Sequence, residues 1–228
     1  LLGPEEIEVM KRTPGVRHVE TQIMMALDET AGFELAPRFL VGINLPNFAR
    51  AQLIAGEAAR LRLARGSWWQ PGDRGVTVLG SATAHKMNLD VGDILTARGM
   101  EFRVVGILEE TLSVPDGWAL IPEEDARTLL LADSALLREM GLDAVWTNAY
   151  ALVDPGLGEE ITETLARSLR RGYLLHSPEQ LARAAGTASS LLNAAILGSA
   201  AIAVIVGALA VINTMFFAVS ERTREIGI

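Results

Sequence analysis

Residues 191–219 read LLNAAILGSAAIAVIVGALAVINTMFFAV, a run of 29 residues without a charged side chain. An α-helix rises about 1.5 Å per residue, so about 20 such residues cross the hydrocarbon core of a bilayer. The run is long enough to span with some tilt, or with a turn to spare at each end. Core helices of soluble proteins rarely stay apolar on every face for this distance. The stretch reads as a membrane helix, 191–219.

Its two ends extend the reading. On the N-terminal side, Ser177-Pro178-Glu179-Gln180 is a capping signature: Ser at the cap, Pro at the first helical position, and Gln placed to reach back. The next glycine, Gly186, does not by itself stop a helix. One helix is therefore predicted from Pro178 through the span, with residues 177–190 as a stalk outside it. On the C-terminal side the chain passes Ser220 and reads Glu221-Arg222-Thr223-Arg224-Glu225-Ile226-Gly227-Ile228. Alternating charges at helical spacing predict a short polar helix at a membrane surface, 220–228. Within the span, Ala195, Ser199, Ala203 and Gly207 recur every four residues and make one face small, the pattern that lets helices approach closely in lipid. Asn213 is an amide inside the apolar run, expected to hydrogen-bond across a helix interface rather than to hold a substrate.

The composition narrows the function classes. Half of the 228 residues are hydrophobic, mean hydropathy is +0.27 and the net charge is −8. An acidic surface without basic clusters argues against nucleic acid as a partner. Cysteine is absent, which removes disulfides, thiolate metal sites and thiol nucleophiles. No GxxxxGK[ST] phosphate loop, HExxH or GxSxG occurs, so the chain is expected to be non-catalytic, with no cofactor or metal of its own. His18, His85 and His176 are scattered over different elements and read as structural rather than metal-ligating. Glu109-Glu110 and Glu123-Glu124 read as solvated charge, and Trp68-Trp69 as core rather than a docking patch. The chain opens on Leu1-Leu2-Gly3-Pro4 without a signal peptide and stops within a charged motif, which leads to the expectation of a longer membrane protein.

The polar part reads as α+β. A helix is predicted over 4–13, with Pro4 in its first turn and Pro14-Gly15 ending it, then a strand over 16–27. A strand at 39–43 and a helix at 47–65 follow, then a turn cluster at 66–73. Next come a strand at 76–79, a helical turn at 81–87, and a hairpin of 94–98 with 102–108 around Gly99. A strand at 118–121 and a helix at 122–140 complete this block. Residues 144–153, 158–171 and 173–176 read as strand, helix and strand, a βαβ unit and the natural mate of the N-terminal helix–strand pair. That order predicts a domain of two lobes: a split α+β layer from 1–36 and 144–176, with a β-rich lobe, 37–143, inserted into it.

Asn213-Thr214-Met215 near the end of an apolar helix, followed by Val219-Ser220-Glu221-Arg222-Thr223-Arg224-Glu225-Ile226-Gly227-Ile228, resembles the second membrane helix of MacB/FtsX-type ABC transporter permeases. Gly66-Ser67-Trp68-Trp69 before Gly72-Asp73, Val76-Thr77-Val78-Leu79-Gly80, Val91-Gly92-Asp93-Ile94-Leu95, Phe102-Arg103-Val104-Val105-Gly106-Ile107-Leu108 and Leu120-Ile121-Pro122 are similar to that family's inserted lobe. The resemblance implies that the split lobe of 1–36 and 144–176 is porter-like, and that the protein sits in the cytoplasmic (inner) membrane of a bacterium with residues 1–190 extracytoplasmic. It implies partners too: an ABC ATPase subunit that holds ATP and Mg, a second permease copy or homologue, and a periplasmic partner or exported substrate. It implies that ATP hydrolysis on the ATPase moves the outer domain through the helix, for export, extraction or mechanotransmission. The ATPase contact is expected at Glu221, Arg222, Arg224, Glu225 and Ile226, since a short amphipathic helix needs both charge and an apolar anchor. Orientation rests on the resemblance, because Arg170, Arg171 and Arg183 precede the span and Arg222 and Arg224 follow it. The alternative is a single-span receptor whose outer domain senses and whose helix reports inward.

Overall fold

The computed structural model describes residues 1–27, 38–56, 60–139, 144–169 and 172–226. They fall into two units, Leu1–Tyr173 and Leu174–Ile228. The first unit starts with α1 (Pro4–Arg12), which has Glu5 and Glu6 in its first turn, Lys11 and Arg12 in its last, and Ile7 and Met10 buried. That charge order complements the helix dipole at both ends.

Among the described residues, eight strands form one mixed sheet. β1 (Val16–Ala26) pairs antiparallel with both β2 (Phe39–Ile43) and β8 (Asn148–Val153). β2 runs parallel to β7 (Trp118–Pro122), which pairs antiparallel with β4 (Val76–Leu79). β4 lies parallel to β6 (Met100–Leu108), whose other edge takes both β5 (Ile94–Ala97) and β3 (Leu63–Gly66). The sheet runs unbroken from residues assigned by sequence to the split layer (β1, β8) into those assigned to the inserted lobe (β2–β7).

Alternate side chains of a strand point to opposite faces, and here both faces are covered. Leu40, Leu79 and Ile121 join Ile23, Phe102, Val104 and Leu129 in one core. Their neighbours Val41, Val78 and Leu120 join Ile43, Phe48 and Trp69 in the other. All four residues of β4 are buried, as are Val19 to Ile23 of β1. This is why these strands read as apolar runs or as broken alternation.

Helices supply the cover. α2 (Leu45–Ala55) is capped by Asn44, whose Oδ1 accepts from the Asn47 N–H at 3.2 Å. α3 (Ser81–Met87) follows β4 after Gly80, and α4 (Glu123–Asp133) follows β7 directly from Pro122. α4 lies so close to β2 that a Cβ on Gly42 would sit 2.1 Å from the Ala126 Cβ. α5 (Ala135–Glu139) and α6 (Gly158–Ser168) complete the unit.

The structure corrects four expectations. The helix expected over 47–65 stops at Ala55, where Gly56 takes a φ of 89°, a left-handed conformation open chiefly to glycine. Leu63–Gly66 is instead drawn onto the edge of β6, because ladder hydrogen bonds outweigh a weak helical propensity. The helix expected over 122–140 is broken at Ser134 into α4 and α5. The strand expected at 173–176 does not form, so the βαβ unit lacks its second strand; Leu174 is 89% exposed and the segment has no β-branched residue to favour a ladder. Finally, the expected strand 144–153 begins only at Asn148, with Trp146 making an isolated bridge to Leu2.

Substituting Gly42→Ala should cost about 1–3 kcal/mol by overpacking the β2–α4 contact. Thermal unfolding of the chain in detergent reads this as a lowered Tm. Adding Ala126→Gly should return part of the loss, so that the double variant is less destabilised than the sum of the two singles.

Candidate functional site

The second unit is one helix, α7 (Pro178–Ile226), 49 residues long. Its start is capped reciprocally as the sequence suggests: the Gln180 N–H donates to Ser177 Oγ at 3.1 Å, and the Ser177 N–H to Gln180 Oε1 at 3.2 Å. The backbone stays helical through Gly186 and again through Ser220, so stalk, span and the start of the polar segment form one element rather than three. Ser190–Met215 has a mean hydropathy of 2.6 over its most apolar window, and that window is wholly exposed. An apolar surface of this length facing outward on every side suits lipid, not a water-facing helix.

Ala195, Ser199, Ala203 and Gly207 lie along one face of α7 and are exposed. The Ser199 hydroxyl donates to the Ala195 carbonyl at 2.8 Å, and that of Thr214 to Ala210 at 2.9 Å. Each hydroxyl is satisfied within the helix, so Ser199 contributes smallness to its face rather than a free polar handle. Asn213 is exposed as well. Glu221, Arg222, Arg224, Glu225 and Ile226 have helical backbone at the end of α7, while their side chains lie outside the described residues.

In the first unit, Trp69 is buried in the α2-side core, as expected, but Trp68 is only half-buried. Trp68 sits edge-on to Trp69 with ring centroids 5.8 Å apart and tilted on Phe48 at 6.1 Å. With Leu45, Phe48, Leu53 and Leu61 it lines an apolar cavity of about 300 Å³, and Gln52 and Arg60 also line it. Such a lining can hold an apolar group and offers no acid, base or nucleophile beside it. His18 lies on β1, His85 on α3 and His176 in the second unit, and among the described residues no group of His, Asp or Glu is arranged to hold a metal.

Three carboxylates behave unlike surface charge. Glu123 is half-buried rather than solvated: its Oε1 accepts from Trp146 Nε1 at 2.7 Å and from Arg127 at 2.5 Å, and Arg127 stacks 5.4 Å from the Trp146 ring. Asp125 is buried, paired with Arg74 and accepting the Gly75 N–H at 2.8 Å. Asp116 is buried too; burial would raise its pKa, but hydrogen bonds from Thr111 and Ser113 outweigh burial and hold it below the ordinary carboxylate range. Those bonds tie down residues 111–116, where Leu112 takes a φ of 51° and projects 87% exposed, with Val114 beside it at 67%.

One acid is a buried one that sequence reasoning passed over. Glu20 of β1 is almost fully buried, accepts from Asn47 Nδ2 at 2.9 Å through Oε2, and leaves Oε1 without a partner among the described residues. Burial and, next, the charge of Glu123 push its pKa up to about 8, against the pull of the Asn47 hydrogen bond. The sequence shows only a charge inside the strand predicted over 16–27; its burial comes from the packing of the fold.

Because the chain has no cysteine, single substitutions report topology cleanly. A cysteine at Leu112 should react with a membrane-impermeant maleimide within minutes, and one at Val204 only after the bilayer is dissolved. Equal labelling of both in intact membranes would exclude Ser190–Met215 as a span.

Residues 2–169 match the family described as the MacB-like periplasmic core domain. An uncharacterised ABC transporter permease of Methanocaldococcus jannaschii is 27% identical over 172 residues, 72% of this chain and 41% of that protein. The macrolide export ATP-binding/permease protein MacB of Hyphomonas neptunium is 33% identical over 169 residues, 68% of this chain and 25% of that protein. The chain thus spans well under two thirds of the length of the curated relatives it matches. The periplasmic region of MacB from Actinobacillus actinomycetemcomitans superposes with a TM-score of 0.49 at 14% identity, covering 82% of this chain and 83% of that one.

Proposed function

The chain belongs to the MacB-like periplasmic core domain family, and on that premise we propose that it is one arm of an ABC transporter permease. Residues 1–190 lie outside the cytoplasmic membrane, the apolar part of α7 crosses it, and 220–228 begin the element that meets the ATPase. ATP and Mg act on that ATPase component, which in the relatives named ATP-binding/permease proteins shares their name. A second permease copy completes the assembly, packed on the small face of Ala195, Ser199, Ala203 and Gly207, with Asn213 bonding across it. The family match weighs against the receptor alternative.

The observation that supports coupling most is the continuity of α7. At about 1.5 Å per residue its 49 residues extend on the order of 70 Å, against a hydrocarbon core of about 30 Å. Turns of the same helix therefore emerge on both sides of the span. A helix resists bending because every turn is tied by hydrogen bonds, and sharp kinks need Pro, inserted groups or a bulge. Displacement imposed at Glu221–Ile226 would reach Ser177 with little loss, and the chain passes from there directly into the domain. No substrate is implied by these residues; macrolide export belongs to the relative's name.

Co-purification of the tagged full-length protein from its native membranes, with and without Glu225→Arg, tests the reading. An ATPase activity should accompany the native protein and fall at least about tenfold on charge reversal, the scale of a lost buried charge contact. Retention after reversal would move the contact elsewhere on the chain, and absence of any ATPase under mild detergent with nucleotide would remove the transporter reading.

A further inference from the structure

Among the described residues one side chain of α2 hydrogen-bonds to β1, while Phe48 and Ala51 of the same helix are buried against the sheet. Asn47, in the first turns of α2, donates through Nδ2 to the Val19 carbonyl at 3.2 Å and to Glu20 Oε2 at 2.9 Å. The same helix carries Leu45, Phe48, Ala49, Gln52 and Leu53, which wall the apolar cavity. The helix that shapes the cavity is thus seated on a buried carboxyl group.

The surroundings of Glu20 oppose its negative charge. From α4, Glu123 contributes a like charge, and its neutralising partner Arg127 is already engaged with it and with the Trp146 ring. From β8, Tyr150 lies directly opposite Glu20 in the ladder and offers no charge. β2 presents only Phe39–Ile43, which has no titratable group. α1 buries Ile7 and Met10, while its Glu8 and Lys11 are exposed and paired with each other. α2 presents Asn47, its Arg50 being exposed. On β1 itself, His18 Nε2 and Gln22 Oε1, which share the Glu20 face, are buried without partners among the described residues. Ionisation would strengthen the one bond from Asn47, yet it would leave Oε1 bare and charged, and a bare buried carboxylate oxygen is far costlier than a buried neutral one.

We propose that Glu20 is a proton-operated latch: protonated, it seats the first turns of α2 on β1, and ionised, it frees those turns and with them one wall of the apolar cavity. On ionisation the carboxyl O–H breaks, the proton passes to water, and release of α2 lets water reach Oε1. The direction follows from linkage. The folded group titrates near 8 and the free group near 4.5, so the seated state is fully favoured below about 4.5 and loses that advantage as pH rises through about 8. The latch involves β1, α2 and α4 alone and does not depend on the transporter reading.

Hydrogen exchange of residues 45–55 in the full chain, in detergent and corrected for intrinsic rates, tests it between pH 5.5 and 8.5. Protection in the native protein should fall on the order of a hundredfold over that range. Glu20→Gln, a neutral isostere, should keep α2 protected with no pH slope. Glu123→Gln removes the like charge and should move the midpoint to lower pH, an independent reading should the first variant not fold. A merely structural Glu20 would shift protection equally at every pH. A flat native profile, a slope that survives Glu20→Gln, or a midpoint unmoved by Glu123→Gln would overturn the latch.

Discussion

Hydrocarbon offers no partner to a backbone N–H or C=O, so a chain crossing it must satisfy those groups within its own segment. In this protein that requirement falls on Ser190–Met215 and explains the form of everything joined to it. A helix that cannot break inside the bilayer carries its geometry beyond both faces, and α7 continues unbroken from Pro178 to Ile226. Gly186 and Gly198 lie within it without interrupting it, since an isolated glycine weakens a helix by only about 1 kcal/mol. Ser199 and Thr214 turn their hydroxyls back to the preceding turn, the same requirement met by side chains.

The folded domain meets the opposite problem, which is to cover a sheet on both faces. Val78 and Leu79, Leu120 and Ile121, Leu40 and Val41 send successive side chains into two different cores. Such strands are stable only where helices lie on each side. α2 covers one face, seated through Asn47, and α4 the other, drawn to within a methyl group's thickness of β2 at Gly42. Glycine at that position is a matter of space: the sheet and helix meet where a Cβ would stand.

Polar groups within this packing are held by specific partners, and where partners run short, chemistry becomes available. Asp116 gathers donors from Thr111 and Ser113 and stays ionised, fixing a loop that displays Leu112 to solvent. Asp125 is matched by Arg74 and Glu123 by Arg127 and Trp146. Glu20 has neither a cation beside it, as Asp125 and Glu123 have, nor the several donors that Asp116 gathers, and it is the one whose proton affinity rises.

Periodicity along the chain was sufficient to read α1, β1, β2, the β5–β6 hairpin, the capped start of α7 and the span, because each depends on neighbours in sequence: caps, turns such as Arg98-Gly99, and an apolar run matched to bilayer thickness. The motifs at 66–122 and 211–228 also carried the family. Partners distant in the chain decided the rest. Leu63–Gly66 became a strand because β6 had an edge to fill, and residues 173–176 did not because none was supplied to them. Trp68 and Trp69, adjacent in sequence, were separated into cavity wall and core by the packing of α2. The buried state of Glu20 was equally out of reach, since a glutamate in a strand shows its charge in the sequence, while the desolvation that holds its proton arises only when α2 and β8 pack on β1 and the charge of Glu123 is brought near.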